Sequence, residues 1–206
     1  AAGSVGSMTV SGGTYAGAAQ LLVGENGQGS LYVSGASTVV TASAFVIGNR
    51  ANSLASTFEM TGGNMTVTGA TTLGNNAGAN AAATISGGTF KGGNMTIGNL
   101  GGGTLFVSGA TANVSVANTV VALGSTGTLS VTGGAKYYSN TAVVFGQYNS
   151  GAPNSAATVT VSGTDTAFTV NGAITVGRSA YDNLLDNKSY LYVGDGAQIT
   201  AAAALY

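Results

Sequence analysis

The sequence predicts an all-β fold, a single-stranded parallel β-solenoid of about eight coils with three short strands per coil. Three observations lead to this prediction. A short motif recurs eight times along the chain. Apolar and polar residues alternate within each copy, which is the pattern of a half-buried strand. Glycine follows the alternating segments, where a coil has to turn sharply. The whole chain, residues 1–206, is therefore expected to form one solenoid domain of eight degenerate repeats.

The composition agrees with an ordered β protein that carries little charge. The chain has 35 glycines, is 44% hydrophobic and is only 5% charged. Typical globular proteins are about 25% charged, and disordered segments are poor in apolar residues. The apolar content therefore argues against a flexible linker. The low charge gives little protection against self-association, so assembly into something larger is expected.

The first strand of each coil is predicted from a segment that ends in Ser-Gly or Thr-Gly, or in Gly-Asp in the last copy. The eight copies are MTVSGG (8–13), LYVSGA (31–36), FEMTGG (58–63), ATISGG (83–88), LFVSGA (105–110), LSVTGG (129–134), VTVSGT (159–164) and LYVGDG (191–196). Their last apolar residues form a predicted ladder of Val10, Val33, Met60, Ile85, Val107, Val131, Val161 and Val193. One coil buries too little apolar surface to be stable alone, so the copies must stack at about 4.8 Å per coil. Eight coils then make a rod about 38 Å long.

A second ladder predicts the third strand of each coil. Its members are Val23, Ile47, Leu73, Ile97, Leu123, Phe145, Val176 and Leu205, and all but the last precede glycine. A shorter alternating piece between the two ladders, such as 114–116 or 168–170 or the single residue Ile199, predicts the middle strand. Two coils are longer than the rest, and their extra residues at 147–156 and 178–188 are expected to protrude as loops.

The outward residues of the strands are the candidate contact surfaces. A neutral, partly apolar contact strip is predicted on the third strands, for lateral contact with another copy of the rod or with another part of a larger protein. It consists of Leu22, Val46, Thr72, Thr96, Ala122, Val144, Thr175 and Ala204. The corresponding outward residues of the first strands are Thr9, Tyr32, Glu59, Thr84, Phe106, Ser130, Thr160 and Tyr192. Among these, Tyr32, Phe106 and Tyr192 are candidate aromatic contacts. Scattered exposed apolar residues are also normal on protein surfaces. An equally good interpretation is therefore that both sets are exposed strand residues without a special role.

Two segments near the end of the chain resemble a known repeat. VSGTDTAFTVNGAITVGRSA (161–180) and SYLYVGDGAQITA (189–201) resemble the repeat of type V autotransporter passengers and PEP-CTERM-associated surface proteins. The resemblance extends more weakly over essentially the whole chain. It implies a secreted, right-handed β-solenoid of a bacterial surface protein, located outside the cell or at its surface. It implies no catalytic residues, because the repeat is architectural.

Catalytic, metal and cofactor sites are not predicted. The chain contains no histidine and no cysteine, so Ser-His and Cys-His nucleophile pairs and thiolate metal sites are excluded. A polysaccharide-cleaving enzyme would need two carboxylates together, and Asp165 and Asp195 are the one pair in neighbouring coils. Both are better explained as turn residues. Oxygen ligands at 182–187 leave a calcium ion in the second long loop as an open alternative.

Nucleic acid and membranes are not expected partners. The five basic residues are scattered singly, whereas a phosphate-binding surface needs a basic patch. No apolar run reaches the 18 residues that a membrane-spanning helix needs.

The expected function is structural and non-catalytic: a solenoid that stacks end to end into a filament or forms the stalk of a bacterial surface protein or adhesin. Neither end of the chain carries a polar cap, so the terminal coils would leave strand edges that pair with another copy end to end or with adjoining repeats of a larger surface protein. The alternative is a glycan-binding or ice-binding solenoid. Ice binding is disfavoured because the contact strip interrupts Thr72, Thr96 and Thr175 with apolar residues.

Overall fold

The computed structural model describes residues 3–51, 53, 55–147, 155–178 and 188–203. Within these ranges the chain is all β, and its strands form three parallel sheets, which confirms the predicted solenoid. Each coil contributes one strand to each sheet in turn. Coil 8 contributes two strands among the described residues. The strands are numbered along the chain.

Sheet A consists, in spatial order, of β1 (Val5–Ser11), β4 (Gln28–Ser34), β7 (Ser56–Met60), β10 (Asn80–Ile85), β13 (Gly102–Ser108), β16 (Thr126–Thr132), β19 (Ala156–Ser162) and β22 (Tyr190–Gly194). Sheet B consists of β2 (Thr14–Ala16), β5 (Val39–Ala42), β8 (Asn64–Val67), β11 (Gly88–Gly92), β14 (Ala112–Val116), β17 (Lys136–Ser139), β20 (Ala167–Val170) and β23 (Gln198–Ala201). Sheet C consists of β3 (Gln20–Val23), β6 (Ala44–Ile47), β9 (Thr71–Leu73), β12 (Met95–Ile97), β15 (Thr119–Val121), β18 (Val143–Gln147) and β21 (Ile174–Arg178).

The register on sheet A matches the predicted first ladder. Val10, Val33 and Met60 are successive partners, and the pairing continues without a slip to Val193. The ladder is buried from Val33 to Val161, and its inward neighbours on sheets B and C complete one continuous apolar core. Because the side-chain period of a strand is two, this register places every alternate residue of the coil inside.

The predicted second ladder is wrong at one coil. Val121, not Leu123, is the partner of Ile97 and Phe145 on sheet C. Leu123 follows the strand and is half-buried. The sequence suggested Leu123 because it precedes a glycine, as the other ladder residues do. The structure instead places Ala122 at the corner, with a φ of 64°, where the other coils have glycine. Leu205 lies outside the described residues.

The middle strands occur where the short alternating pieces predicted them, at β14, β20 and β23. The two long loops fall largely on 148–154 and 179–187, outside the described residues, and so does the suggested calcium segment 182–187.

The turns between sheets A and B use a recurring threonine to join neighbouring coils. Thr38 is fully buried, accepts a hydrogen bond from the Gly12 amide at 2.6 Å and donates to the Ser34 carbonyl. Thr166 accepts from the Gly134 amide at 2.9 Å in the same way. A backbone N–H left unpaired in the interior is costly, so these hydroxyls stabilise the turn.

Two aromatic groups fill the core. Phe45 and Phe58 meet edge to face with ring centroids 5.1 Å apart, whereas Tyr137 and Phe168 stack at 5.0 Å. Tyr137 is fully buried, and its hydroxyl lies 2.8 Å from Thr119 Oγ1. Burial raises the pKa of the Tyr137 hydroxyl well above its ordinary value, so this residue is a neutral hydrogen-bonding group of the core.

Candidate functional site

The predicted contact strip lies on the outer side of sheet C. Leu22, Val46, Thr72 and Thr96 are successive partners there, and Val144 and Thr175 continue the row. Leu22 is exposed and Val46 is only 5% exposed, while the other four are half-buried. Ala204 lies outside the described residues. The row is therefore real, but it presents little apolar surface to a partner.

Ala122 was wrongly placed in this strip. Val120 is the partner of both Thr96 and Val144, so Val120 occupies the outward position of coil 5. Ala122 is fully buried and lies at the corner after β15. The error has the same cause as that at Leu123: a shift of two residues, which preserves the inward-outward alternation and so leaves no trace in the sequence pattern.

A ladder of polar side chains follows the corner after sheet C in coils 1 to 4. The Asn75 amide donates to Asn49 Oδ1 at 2.7 Å, and the Asn99 amide donates to Asn75 Oδ1 at 3.0 Å. Glu25 ends the ladder, accepting from the Asn49 amide and pairing with Arg50 at 2.9 Å. These hydrogen bonds from Asn49 and Arg50 hold the pKa of Glu25 below its ordinary value. The ladder stabilises the stacking of coils.

The outward row of sheet A lies where the sequence predicts it. Thr9, Tyr32, Glu59 and Thr84 are successive partners, and the row continues through Phe106, Ser130, Thr160 and Tyr192. Tyr32, Phe106 and Tyr192 are 36%, 45% and 57% exposed. Of the five exposed aromatic side chains in the described ranges, four are on this face, because Tyr190 also points outward from β22 and only Tyr138 lies elsewhere.

Two rows of hydroxyl side chains flank the aromatic row, and sequence reasoning missed them. The row on one side consists of Ser7, Ser30, Thr57, Thr104, Thr128, Thr158 and Tyr190, interrupted in coil 4 by Ala82, which has no hydroxyl. The row on the other side includes Ser11, Ser34, Ser108, Thr132 and Ser162. The serine or threonine of the recurring Ser/Thr-Gly motif was the available signal for the second row, but it was used only to mark the end of the strand.

A shallow groove crosses sheet A beside Phe106. It has a volume of about 260 Å³. Ala82 and Gly102 leave the space, and Thr104, Thr126 and Thr128 line it with hydroxyl groups. Phe106 lies two residues beyond Thr104 on the same strand and points to the same side. The groove is thus lined by hydroxyl groups that both donate and accept hydrogen bonds, and its lining residue Thr104 is two residues from the exposed Phe106.

The acidic residues of the described ranges are dispersed over the fold. Glu25 lies at a sheet C corner and Glu59 on the outer face of sheet A. Asp165 and Asp195 are exposed turn residues of coils 7 and 8 with φ of 62° and 55°. Residues 3–51, 53, 55–147, 155–178 and 188–203 contain no group of three or more acidic side chains that could hold a metal ion.

Comparison of the chain with family models, with curated proteins and with solved structures found no match. Among the described residues there is no helix of the length and apolar character needed to span a membrane.

Proposed function

We propose that the chain is a non-catalytic structural rod of a bacterial surface protein, built to stack with further coils of the same kind. The observation that carries this proposal is the uninterrupted pairing of parallel strands through all eight coils around one core. In such a solenoid each coil contacts only its neighbours, so length is extended by adding coils.

Each coil stacks on its neighbour by strand pairing, and this pairing does not depend on whether the neighbour belongs to the same chain. Strands pair in parallel on all three sheets, and the surface is rich in hydroxyls and poor in charge. A second copy of the chain and an adjoining repeat of a longer protein can both supply a matching set of strands. The extracellular or cell-surface location belongs to the same proposal and is supported by the resemblance of residues 161–180 and 189–201 to a surface-protein repeat.

Electron microscopy and light scattering of the purified 206-residue chain test the stacking. We expect end-to-end multimers whose axial repeat is about 38 Å, the length of eight coils. Met8 is half-buried on the inner side of β1, and Thr9 is exposed on its outer side. Met8→Lys should therefore shorten the multimers, whereas Thr9→Lys should not. A chain that stays monomeric at every concentration would contradict the stacking of one copy on another.

A further inference from the structure

The three exposed rings in the outward row of sheet A are evenly spaced. Tyr32 is in coil 2, Phe106 in coil 5 and Tyr192 in coil 8, and the strand register places all three in one row. Three coils correspond to about 14 Å along the rod axis. The face therefore offers a ring at regular intervals along a straight line, which fits an extended ligand lying parallel to the rod.

Two of these rings are held against the face. The Tyr32 hydroxyl lies 3.2 Å from Thr61 Oγ1 of the next coil. The Tyr192 ring lies along its own strand, close enough that a Cβ at Gly194 would come within 2.9 Å of it. Glycine at 194 thus leaves room for the ring to lie low over the backbone. Rings in this position expose a flat apolar surface and lose little conformational freedom on binding.

The surroundings of the rings are hydroxyl-rich and nearly neutral. Thr84, Ser130 and Thr160 lie between the rings in the same row, and hydroxyl rows run on both sides. Glu59 is the one charged residue in the eight strands of sheet A. The groove of about 260 Å³ beside Phe106 adds a concave subsite lined by three threonines. An anionic ligand finds no cation within these eight strands, and nucleic acid requires a basic patch.

We propose that the outer face of sheet A binds a linear, neutral polysaccharide that runs along the solenoid axis. The apolar C–H faces of its sugar rings would stack on Tyr32, Phe106 and Tyr192, and its hydroxyls would exchange hydrogen bonds with the serine and threonine rows. The groove beside Phe106 would hold one sugar unit. This binding is separate from coil stacking, because it uses a lateral face and not the strand edges.

Titration calorimetry with neutral glucans of defined length tests the proposal. The probes are linear β-1,4- and β-1,3-glucan oligosaccharides and a linear α-1,4-glucan, with an anionic polygalacturonate as the charged comparison. We expect at least one neutral glucan to bind. Chains long enough to span two rings should bind more tightly than short ones, because the second contact is intramolecular.

Substitutions locate the binding face. Phe106→Ala should weaken binding about tenfold, Tyr32→Ala and Tyr192→Ala by a similar factor, and the triple variant should abolish it. Tyr138→Ala is the matched control, since Tyr138 is 38% exposed but lies on sheet B. Far-ultraviolet circular dichroism of each variant verifies that the rod is still folded.

Three results would overturn the proposal. One is the absence of binding by every neutral glucan, and another is an equal loss of binding in the Tyr138 variant. The third is lateral self-association that disappears in the Phe106 variant, which would assign the face to a second copy of this chain. End-to-end multimers that persist in the triple variant would show that coil stacking does not depend on this face.

Discussion

The two halves of the rod place the same residue in the same position of the core with different results. Thr71 in coil 3 and Thr119 in coil 5 both point inward from sheet C, each as a partner of Met95. Thr119 Oγ1 lies 2.8 Å from the Tyr137 hydroxyl. Thr71 Oγ1 is buried and has no hydrogen-bond partner among the described residues. A threonine hydroxyl can therefore point into the core from sheet C. Within the described ranges, however, only Thr119 has a side chain next to it, that of Tyr137, with which the hydroxyl forms a hydrogen bond.

The corner after sheet C also differs between coil 3 and coil 5. Coils 1 to 4 have glycine at this position, as at Gly98 with a φ of 78°. The side chain that follows each of these glycines belongs to the ladder of polar side chains. Coil 5 has Ala122 with a φ of 64° and Leu123 in place of the next asparagine. A left-handed conformation costs an L-residue about 1–2 kcal/mol. Coil 3 therefore has a relaxed glycine corner and an unpaired core hydroxyl, whereas coil 5 has a strained corner and a paired core hydroxyl.

The largest expected effect comes from removing the tyrosine whose hydroxyl pairs with Thr119 in the core. Tyr137→Ala deletes a fully buried ring stacked on Phe168, so it should lower the free energy of unfolding by about 3–5 kcal/mol. Urea denaturation followed by circular dichroism measures this loss. Tyr138→Ala, one residue along and 38% exposed, should cost less than about 1 kcal/mol. Similar losses in the two variants would contradict the burial of Tyr137.

Introducing a side chain at a relaxed corner should have the next largest effect. A Cβ at Gly98 would come within 2.3 Å of the Thr126 carbonyl oxygen. An alanine at this position would also have to adopt the positive φ that glycine has there. Gly98→Ala is therefore expected to destabilise the rod by about 3 kcal/mol. The control is Gly13→Ala, because a Cβ there meets no atom within 4 Å. A Gly98 variant as stable as the Gly13 variant would show that the corner is not constrained.

The two core threonines should respond in opposite directions to the same substitution. Thr71→Val removes a buried hydroxyl without a partner, and it should stabilise the rod by about 1 kcal/mol. Thr119→Val removes the partner of the Tyr137 hydroxyl, and it should destabilise by about 1–2 kcal/mol. The shift of the urea midpoint measures both. Shifts of the same sign would contradict the difference between a paired hydroxyl at Thr119 and an unpaired one at Thr71.

The smallest effect is expected at Glu25, the charged end of the ladder of polar side chains. Glu25→Gln should lower stability at pH 7 by no more than about 0.5 kcal/mol, because the pair with Arg50 is largely exposed. Hydrogen bonds from Asn49 and Arg50 lower the pKa of Glu25 in the folded state. Its contribution is therefore present above the unfolded pKa and is lost as the pH falls through the folded one. Denaturation curves of the variant and the parent should converge at acid pH, and a difference that grows there would exclude this assignment.

Much of the fold and part of the candidate face could be predicted from the sequence. The first ladder from Val10 to Val193 was predicted without error, because its residues recur in a motif whose alternation has only one buried face. The aromatic row followed from the same alternation. The hydroxyl rows were also within reach, since they consist of the residues next to the ladder, but serine and threonine serve equally well in turns and on exposed strands.

What the sequence by itself determined is which residues of each coil point inward and which point outward, because that depends on a local period of two. The tertiary structure alone decided the register at Val121 and Ala122, since a shift by two residues keeps the same alternation and only stacking on the neighbouring coils distinguishes the alternatives. It also decided that the Tyr137 hydroxyl meets Thr119, while the Thr71 hydroxyl has no hydrogen-bond partner among the described residues. Contacts across the core join different sheets and different coils, and no local pattern records which side chains meet there.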